Sequence, residues 1–226
     1  MAAELPTTSK PVIAILGGTG KEGPGLALRW SSAGYSVLIG SRQAKKAQAT
    51  AAELNARLGI DTIQGLENGT AARLADICVL TVPYPAHWST LESLKPDLSG
   101  KILVDASARV DFRDPIPPAP PAAAEVAQEI LGAHVRVVAA FQNVPASALR
   151  KNLGQRLDVD VLVCADDLEA AQAVISLAEA LQVQAYYAGK LSNAVVVEGL
   201  TSILINLNKY YGSHSAAIRI SGIEPS

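Results

Sequence analysis

Short apolar runs alternate with amphipathic, alanine-rich stretches along most of this chain. Val12–Leu16, Tyr35–Ile39, Asp76–Pro83, Lys101–Asp105, Val135–Ala140, Val159–Ala165 and Val183–Tyr187 are rich in β-branched residues and read as buried strands. Between them, helices are predicted from Pro24 to Ala33-Gly34 and over 43–58, 67–74, 86–94, 122–131, 168–181 and 191–211, with a short strand or loop at 62–65. Asp166-Asp167 supplies the cap for the helix that follows it. Strand and helix in alternation predict an α/β protein with a largely parallel sheet.

The first strand runs into Gly17-Gly18-Thr19-Gly20-Lys21-Glu22-Gly23, and a helix opens behind it at Pro24. Gly18, Gly20 and Gly23 have the G-x-G-x-x-G spacing of a dinucleotide-binding turn. The first glycine allows the tight turn. The second lets main chain approach a pyrophosphate, and the third lets the helix pack on the strand. The helix N-terminus then offers unpaired N–H groups to the phosphates. An ordinary strand-to-helix turn would use the same residues, but the flanking strand and helix favour the dinucleotide reading.

A dinucleotide fold that prefers NAD places an acidic residue after the second strand, where it holds the ribose hydroxyls. Here that strand ends in Gly40-Ser41-Arg42, with Lys45 and Lys46 beyond. Hydroxyl and cationic donors suit a 2′-phosphate, so NADP(H) is expected. Thr81, Val82, Pro83 and Tyr84 leave the carboxyl end of another strand, where a parallel sheet meets its ligand. Tyr84 fits packing as well as a nicotinamide contact.

Composition narrows the remaining chemistry. The 226 residues are 49% hydrophobic and 18% charged, with a net charge of −2 and 4% aromatics, which argues against nucleic acid as a partner. The N-terminus lacks an apolar signal core, and no apolar run approaches the ~20 residues that cross a bilayer, so a cytoplasmic protein is expected. Cys78 and Cys164 lie inside apolar runs and read as buried thiols. His87, His134 and His214 fall in different elements, without a carboxylate or thiol at metal-ligand spacing. No nucleophile elbow, paired carboxylates or general acid–base set is evident, so no catalytic residue and no metal are assigned. Hydride transfer between two bound rings needs distance, alignment and dryness rather than an acid–base pair.

Two segments stay open in the sequence. Residues 106–121 carry five prolines between Pro115 and Pro121 and read as an extended loop, either a lid or a passive insertion. Phe141-Gln142-Asn143-Val144-Pro145-Ala146 leaves a strand with two amides that suit the edge of a heterocycle or ordinary turn chemistry. The stretch 191–211 is long, apolar and helical in spacing, so burial in a homodimer or larger homo-oligomer is expected. The tail at 217–222 could pair with a sheet edge or fold over a site.

Five blocks carry a family likeness: Leu16–Gly20, Gly40–Arg42, Val79–Pro83, Val161–Asp167 and Ala188–Asn193. From about Val12 to Gly222 the chain resembles the NADPH-dependent reductases of the deazaflavin coenzyme F420. The resemblance implies a Rossmann-type doubly wound parallel sheet with a small, mainly helical C-terminal part. It implies an NADP-binding domain over 11–146 and a smaller domain over 147–226 that completes the F420 site and forms the dimer interface. By this resemblance Thr19, Ser41, Arg42 and Lys46 hold the 2′-phosphate, and Gly20, Lys21 and Glu22 the pyrophosphate side. Val82 and Pro83 would lie along the cofactor and Ala146 near the nicotinamide. The deazaflavin would stack from Gln142, Asn143, Val144 and Pro145, with Leu207 closing the pocket. Arg109, Arg113, Arg150 and Lys151 are weak candidates for the acidic tail of F420, since solvated surface charge explains each as well.

Two departures fall on the second-substrate side. Gln142 stands where the archaeal pattern carries a histidine, and the proline-rich loop also differs. The expected activity is hydride transfer between NADP(H) and F420. An NADPH-dependent flavin or ferric reductase is the alternative enzyme, and an NADP-sensing module the non-enzymatic one.

Overall fold

The computed structural model describes residues 10–223. Eight strands form one sheet in the order β3-β2-β1-β4-β5-β6-β7-β8. They are β1 Ile13–Leu16, β2 Val37–Ser41, β3 Gln64–Glu67, β4 Ile77–Leu80, β5 Ile102–Asp105, β6 Arg136–Ala139, β7 Asp160–Ala165 and β8 Gln184–Tyr187. All neighbours pair in parallel except β6 and β7, where Val138 faces Ala165 and Ala139 faces Cys164 in antiparallel register. The helices are α1 Gly23–Ser32, α2 Ala44–Leu58, α3 Asn68–Leu74, α4 His87–Leu98, α5 Ala123–Leu131, α6 Ala146–Leu149, α7 Leu168–Glu179 and α8 Ala194–Tyr211. The strand order reverses at β1, with β2 on one side and β4 on the other, which opens a crevice at their carboxyl ends.

Alternation along the strands divides the core into two layers. Ile13, Ile15, Ile39, Val79 and Val104 point to the face covered by α1, α2 and α7. Ala14, Leu16, Leu38, Leu80 and Leu103 point to the face covered by α3, α4 and α5, where Val197 of α8 also packs. Cys78 and Cys164 are buried free thiols, pushed by burial to about 12 and about 11, which leaves them unreactive at neutral pH.

The structure moves several boundaries. β2 begins two residues later than the apolar run suggests and continues through Gly40 and Ser41, because Gly34 (φ 81°) turns the chain and Tyr35 N–H still donates to Trp30 O. Gly40 is kept small by Asn68, whose Oδ1 would lie 2.7 Å from an added Cβ. α4 runs four residues past Leu94 with Pro96 inside it. Complete burial of Leu91 and Leu98 offsets the hydrogen bond that the proline removes. Leu191–Asn193 forms a 3₁₀ turn ahead of α8, and the short α6 has no counterpart among the elements predicted from sequence. Among the described residues, those from 147 to 223 supply β7 and β8 to the common sheet as well as α7 and α8.

The proline-rich loop lies along α8. Glu198, Ser202, Asn206 and Lys209, spaced three or four residues apart on one face of that helix, hold Arg109, Ile116 O, Pro115 O and Arg113 O respectively. Glu198 is fully buried and also accepts from Ala123 N–H of α5 (2.5 Å). Contrary to the expectation from apolar run length, the stretch Leu191–Tyr211 is long and apolar enough to cross a membrane by length and composition. A third of its residues are buried within the fold.

Candidate functional site

The glycine loop is shaped by contacts that leave specific places open. Gly18 N–H donates to Gly40 O (2.9 Å) and Ile15 O (3.1 Å), which closes the turn after β1. Gly17 is left-handed (φ 72°), an added Cβ there would lie 2.5 Å from Val82 Cγ1, and its N–H donates to Asn68 Oδ1 (3.1 Å). A Cβ on Gly23 would lie 2.4 Å from Gly18 O, so the third glycine is required by helix–strand packing. A Cβ on Gly20 would meet nothing closer than Gly17 O at 3.6 Å. Packing therefore does not demand a glycine at 20, whereas close approach of a phosphate group does. Among the described residues, the N–H groups of Lys21, Glu22 and Gly23 find no main-chain acceptor at the start of α1.

Glu22 is the N-terminal flank of α1 and makes no capping bond. The residue is half-buried, but its Oε1 is sealed from solvent and has no partner. Burial pushes its carboxyl up from the ordinary 4.5 to about 8. At neutral pH it is therefore protonated and sets no negative charge against an anion bound at the helix start. Opposite, at the end of β2, Ser41 is buried with its Oγ accepting from Gln43 N–H (3.2 Å). Arg42 and Lys46 are exposed and make no ion pair among the described residues. A buried hydroxyl beside two free cations, with no carboxylate in the usual ribose-holding position, fits a 2′-phosphate.

The other wall is attached to α1 by Arg29. This arginine is 4% exposed and donates to five main-chain oxygens: Leu149 (3.0 Å), Lys151 (2.8 Å), Asn152 (3.4 Å), Gln155 (3.1 Å) and Leu181 (3.1 Å). Burial pulls its pKa down, a cost that five aligned carbonyl dipoles offset. α6 sits directly on α1, since a Cβ on Gly25 would lie 2.6 Å from Leu149 Cβ. These contacts hold α6, which begins at Ala146, against α1. Arg150 reaches across to Lys21 O (2.7 Å).

The carboxyl ends of β4, β5 and β6 form the far side. Thr81 donates through Oγ1 to Leu16 O (3.2 Å), Val82 packs on Gly17, and Pro83 leads into a 3₁₀ turn over Tyr84–Ala86. Phe141 follows β6 in the left-handed region (φ 75°), unusual for a bulky side chain and costly at roughly 1–3 kcal/mol. It is held by the edge of Trp30, 5.8 Å between centroids. Behind it, Gln142 Nε2 donates to Asp105 O (3.0 Å), and Asn143 Nδ2 donates to Val197 O and Thr201 Oγ1 (2.9 Å each). The amide oxygens of both residues are buried without partners. Val144 is buried, Pro145 is half-buried, and Leu207 is 40% exposed on α8. The tail passes the same region: Ser147 Oγ donates to His214 O (3.2 Å) and Asp160 N–H to Ile218 O (2.8 Å).

The family described as "NADP oxidoreductase coenzyme F420-dependent" matches residues 12–109. The F420-dependent NADP reductase of Methanocaldococcus jannaschii is 40% identical over 94% of this chain and 99% of its own length. The chain belongs to this reductase family. A second member, from Methanothermobacter thermautotrophicus, is 39% identical over 93% of this chain and 95% of its own. The crystal structure of a proposed F420-dependent NADP reductase from Arthrobacter sp. FB24 superposes with a TM-score of 0.79 at 25% identity, covering 94% of this chain and all of that one. Within this reductase fold, the glycine loop, Ser41-Arg42 and Thr81–Pro83 stand at the carboxyl ends of the neighbouring strands β1, β2 and β4, and Gln142–Ala146 follows β6.

Four participants are not identifiable from the sequence reading. Asn68, Arg29 and Glu198 each satisfy main-chain groups far away in the chain. His87 Nε2 lies 2.7 Å from Asp105 Oδ2, with both side chains buried, although spacing alone gives no histidine a carboxylate partner. Of the cations considered for an acidic ligand tail, Arg109 is held by Glu198 (3.2 Å) and Arg150 by Lys21 O.

Proposed function

We propose that this chain transfers a hydride between NADP(H) and coenzyme F420. The observation that carries the reading is the 2′-phosphate corner at Ser41, Arg42 and Lys46, in a chain 40% identical along nearly its whole length to an F420-dependent NADP reductase. The nicotinamide supplies or accepts the hydride, and the deazaflavin ring is its partner. The chain's own residues orient and exclude water. Main-chain N–H groups at the start of α1 would hold the pyrophosphate, and Gly20 would give it room. Thr19 joins Ser41, Arg42 and Lys46 at the 2′-phosphate. Thr81, Val82 and Pro83 would lie along the dinucleotide, and Ala146 near its nicotinamide. Gln142, Asn143, Val144 and Pro145 would hold the second ring, with Leu207 closing the pocket. In this reading residues 11–146 bind NADP, while 147–226 complete the F420 side.

The uncovered face of α8 presents Val196, Ile203, Leu207, Tyr210 and Tyr211, from 40% to 83% exposed. A second copy of the chain is the occupant we assign to it, giving a cytoplasmic homodimer or larger homo-oligomer. Anaerobic mixing of the enzyme with NADPH and either F420 or FMN tests the activity. F420 absorbance is expected to bleach stoichiometrically with NADPH oxidation. Reduction of FMN alone would replace this reading with a flavin reductase, and reduction of neither would favour an NADP-binding module without transfer.

A further inference from the structure

Asp105 closes β5 as a fully buried carboxylate whose acceptors are nearly all in use. Its Oδ2 meets His87 Nε2 at 2.7 Å, and its Oδ1 accepts from Ser107 N–H at 2.9 Å. Its main-chain oxygen accepts from Gln142 Nε2 at 3.0 Å and from Ala140 N–H at 3.3 Å. His87 is 1% exposed at the start of α4, with its ring 5.4 Å from that of Tyr84, which directly follows Pro83. Asp105 therefore links the carboxyl ends of three strands, meeting His87 beyond β4 through its carboxyl group and Gln142 beyond β6 through its main-chain oxygen.

The consequence falls on the Gln142 amide. A primary amide can flip, exchanging donor for acceptor, unless a partner accepts only one orientation. A main-chain carbonyl is such a partner, because it can only accept. Asp105 O therefore holds Nε2 and leaves Oε1 as a fixed, buried acceptor without a donor. An unpaired buried acceptor is costly, and a ligand N–H relieves that cost. We propose that His87 and Asp105 are a positioning pair for the second substrate, holding Gln142 so that its amide oxygen receives a ring N–H of the hydride partner. The proposal rests on the hydride-transfer reading above. Neither His87 nor Asp105 touches a reacting atom; both act through Gln142. A water-excluded imidazole–carboxyl hydrogen bond suits this work, since removal of either partner strands the other's polar atom in a dry site.

The test uses the full chain. His87→Phe is expected to raise KM for F420 by roughly 10- to 100-fold through misplacement of Gln142. The NADPH Kd, read by direct titration, stays within about twofold. His87→Gln, which restores a donor toward Asp105, recovers most of the loss. The double variant His87→Phe with Gln142→Ala is no worse than Gln142→Ala alone. Independently of activity, the side-chain NH₂ signal of Gln142 in ¹⁵N-labelled protein shifts and loses exchange protection when His87 is replaced. Asp105→Asn, nearly isosteric, is read in the same way should His87→Phe fail to fold. Multiplicative losses in the double variant, an unchanged Gln142 signal, or equal losses for NADPH and F420 would each overturn the proposal. If wild-type protein reduces no F420, the functional reading falls. The Gln142 signal still decides whether the pair positions that amide.

Discussion

Arg29 offers a sharp test of how the crevice is held together. Replacing it with methionine (Arg29→Met) keeps most of the apolar stem and removes the donors to five carbonyls. The oxygens of Lys151, Asn152 and Gln155 belong to a loop that can recover water. Those of Leu149 and Leu181 make buried bonds to Arg29 and cannot. Two stranded acceptors at about 1–3 kcal/mol each give a loss of about 2–6 kcal/mol. Release of a buried cation returns part of this, so about 3 kcal/mol is the expected net effect. Urea unfolding measures it, with the slope unchanged if the denatured state is unaffected. Arg29→Lys separates charge from geometry: an ammonium keeps the charge but cannot address carbonyls from α6, the 150–155 loop and the end of α7 at once. The lysine variant is therefore expected to lose nearly as much stability as the methionine variant, and both weaken NADPH binding because α6 loosens from α1. A loss under about 1 kcal/mol for Arg29→Met, within the range of ordinary surface changes, or full retention by Arg29→Lys would refute the reasoning.

Arg42→Glu replaces a free cation at the end of β2 with the residue type that holds ribose hydroxyls. NADPH affinity should fall at least about tenfold while NADH affinity changes far less, and equal losses in paired titrations would rule out a 2′-phosphate role. Glu22 predicts a pH dependence of stability. Its carboxyl titrates at about 8 in the native state against 4.5 ordinarily, so between those values the native state binds the extra proton. Its contribution is complete below 4.5, declines as pH rises through the window, and is lost above 8. Glu22→Gln removes the titration, so the Tm advantage of wild type over this variant should shrink from about pH 5 to about pH 9 in thermal melts. Parallel curves would exclude the shift.

Legibility in the sequence follows distance along the chain. Gly18, Gly20 and Gly23 can be assigned separate tasks because strand, turn and helix are contiguous; packing requires a small residue at Gly18 and Gly23, while the left-handed residue of the turn is Gly17. Ser41 and Arg42 stand out because they leave a strand at a fixed distance from the glycines. Arg29 does not, since its acceptors lie 120 to 152 residues away and nothing local marks a helix arginine as buried. His87 and Asp105 are only 18 residues apart, yet their contact exists only once β4 pairs with β5. A usable signal is present: Asp105 ends the apolar run Ile102-Leu103-Val104, and Glu198 interrupts the apolar stretch after Val195-Val196-Val197. A carboxylate inside such a run demands a buried partner. The proline-rich loop is ambiguous for a related reason. Its order comes from a face of α8 that becomes polar only at every third or fourth residue.

The two halves of the crevice are built from different materials, and this governs what each can discriminate. On the dinucleotide side, main-chain N–H groups and absent side chains do most of the shaping. In the proposed reading, substitution there alters fit, and selectivity for the 2′-phosphate rests on Thr19, Ser41, Arg42 and Lys46. On the far side, Gln142 and Asn143 are oriented by bonds from their amide nitrogens, and their oxygens are left as acceptors. Identity of the second substrate is therefore a matter of where a ligand carries its donors. Glutamine at 142 has a further effect. An imidazole in that place would change charge near neutral pH, whereas an amide keeps the same donors and acceptors throughout. A titration of that kind has another source in Glu22 before α1, whose carboxyl burial pushes up to about 8. A basic limb in the pH profile that follows NADPH affinity, and disappears in Glu22→Gln, would assign the titration to the dinucleotide half of the site.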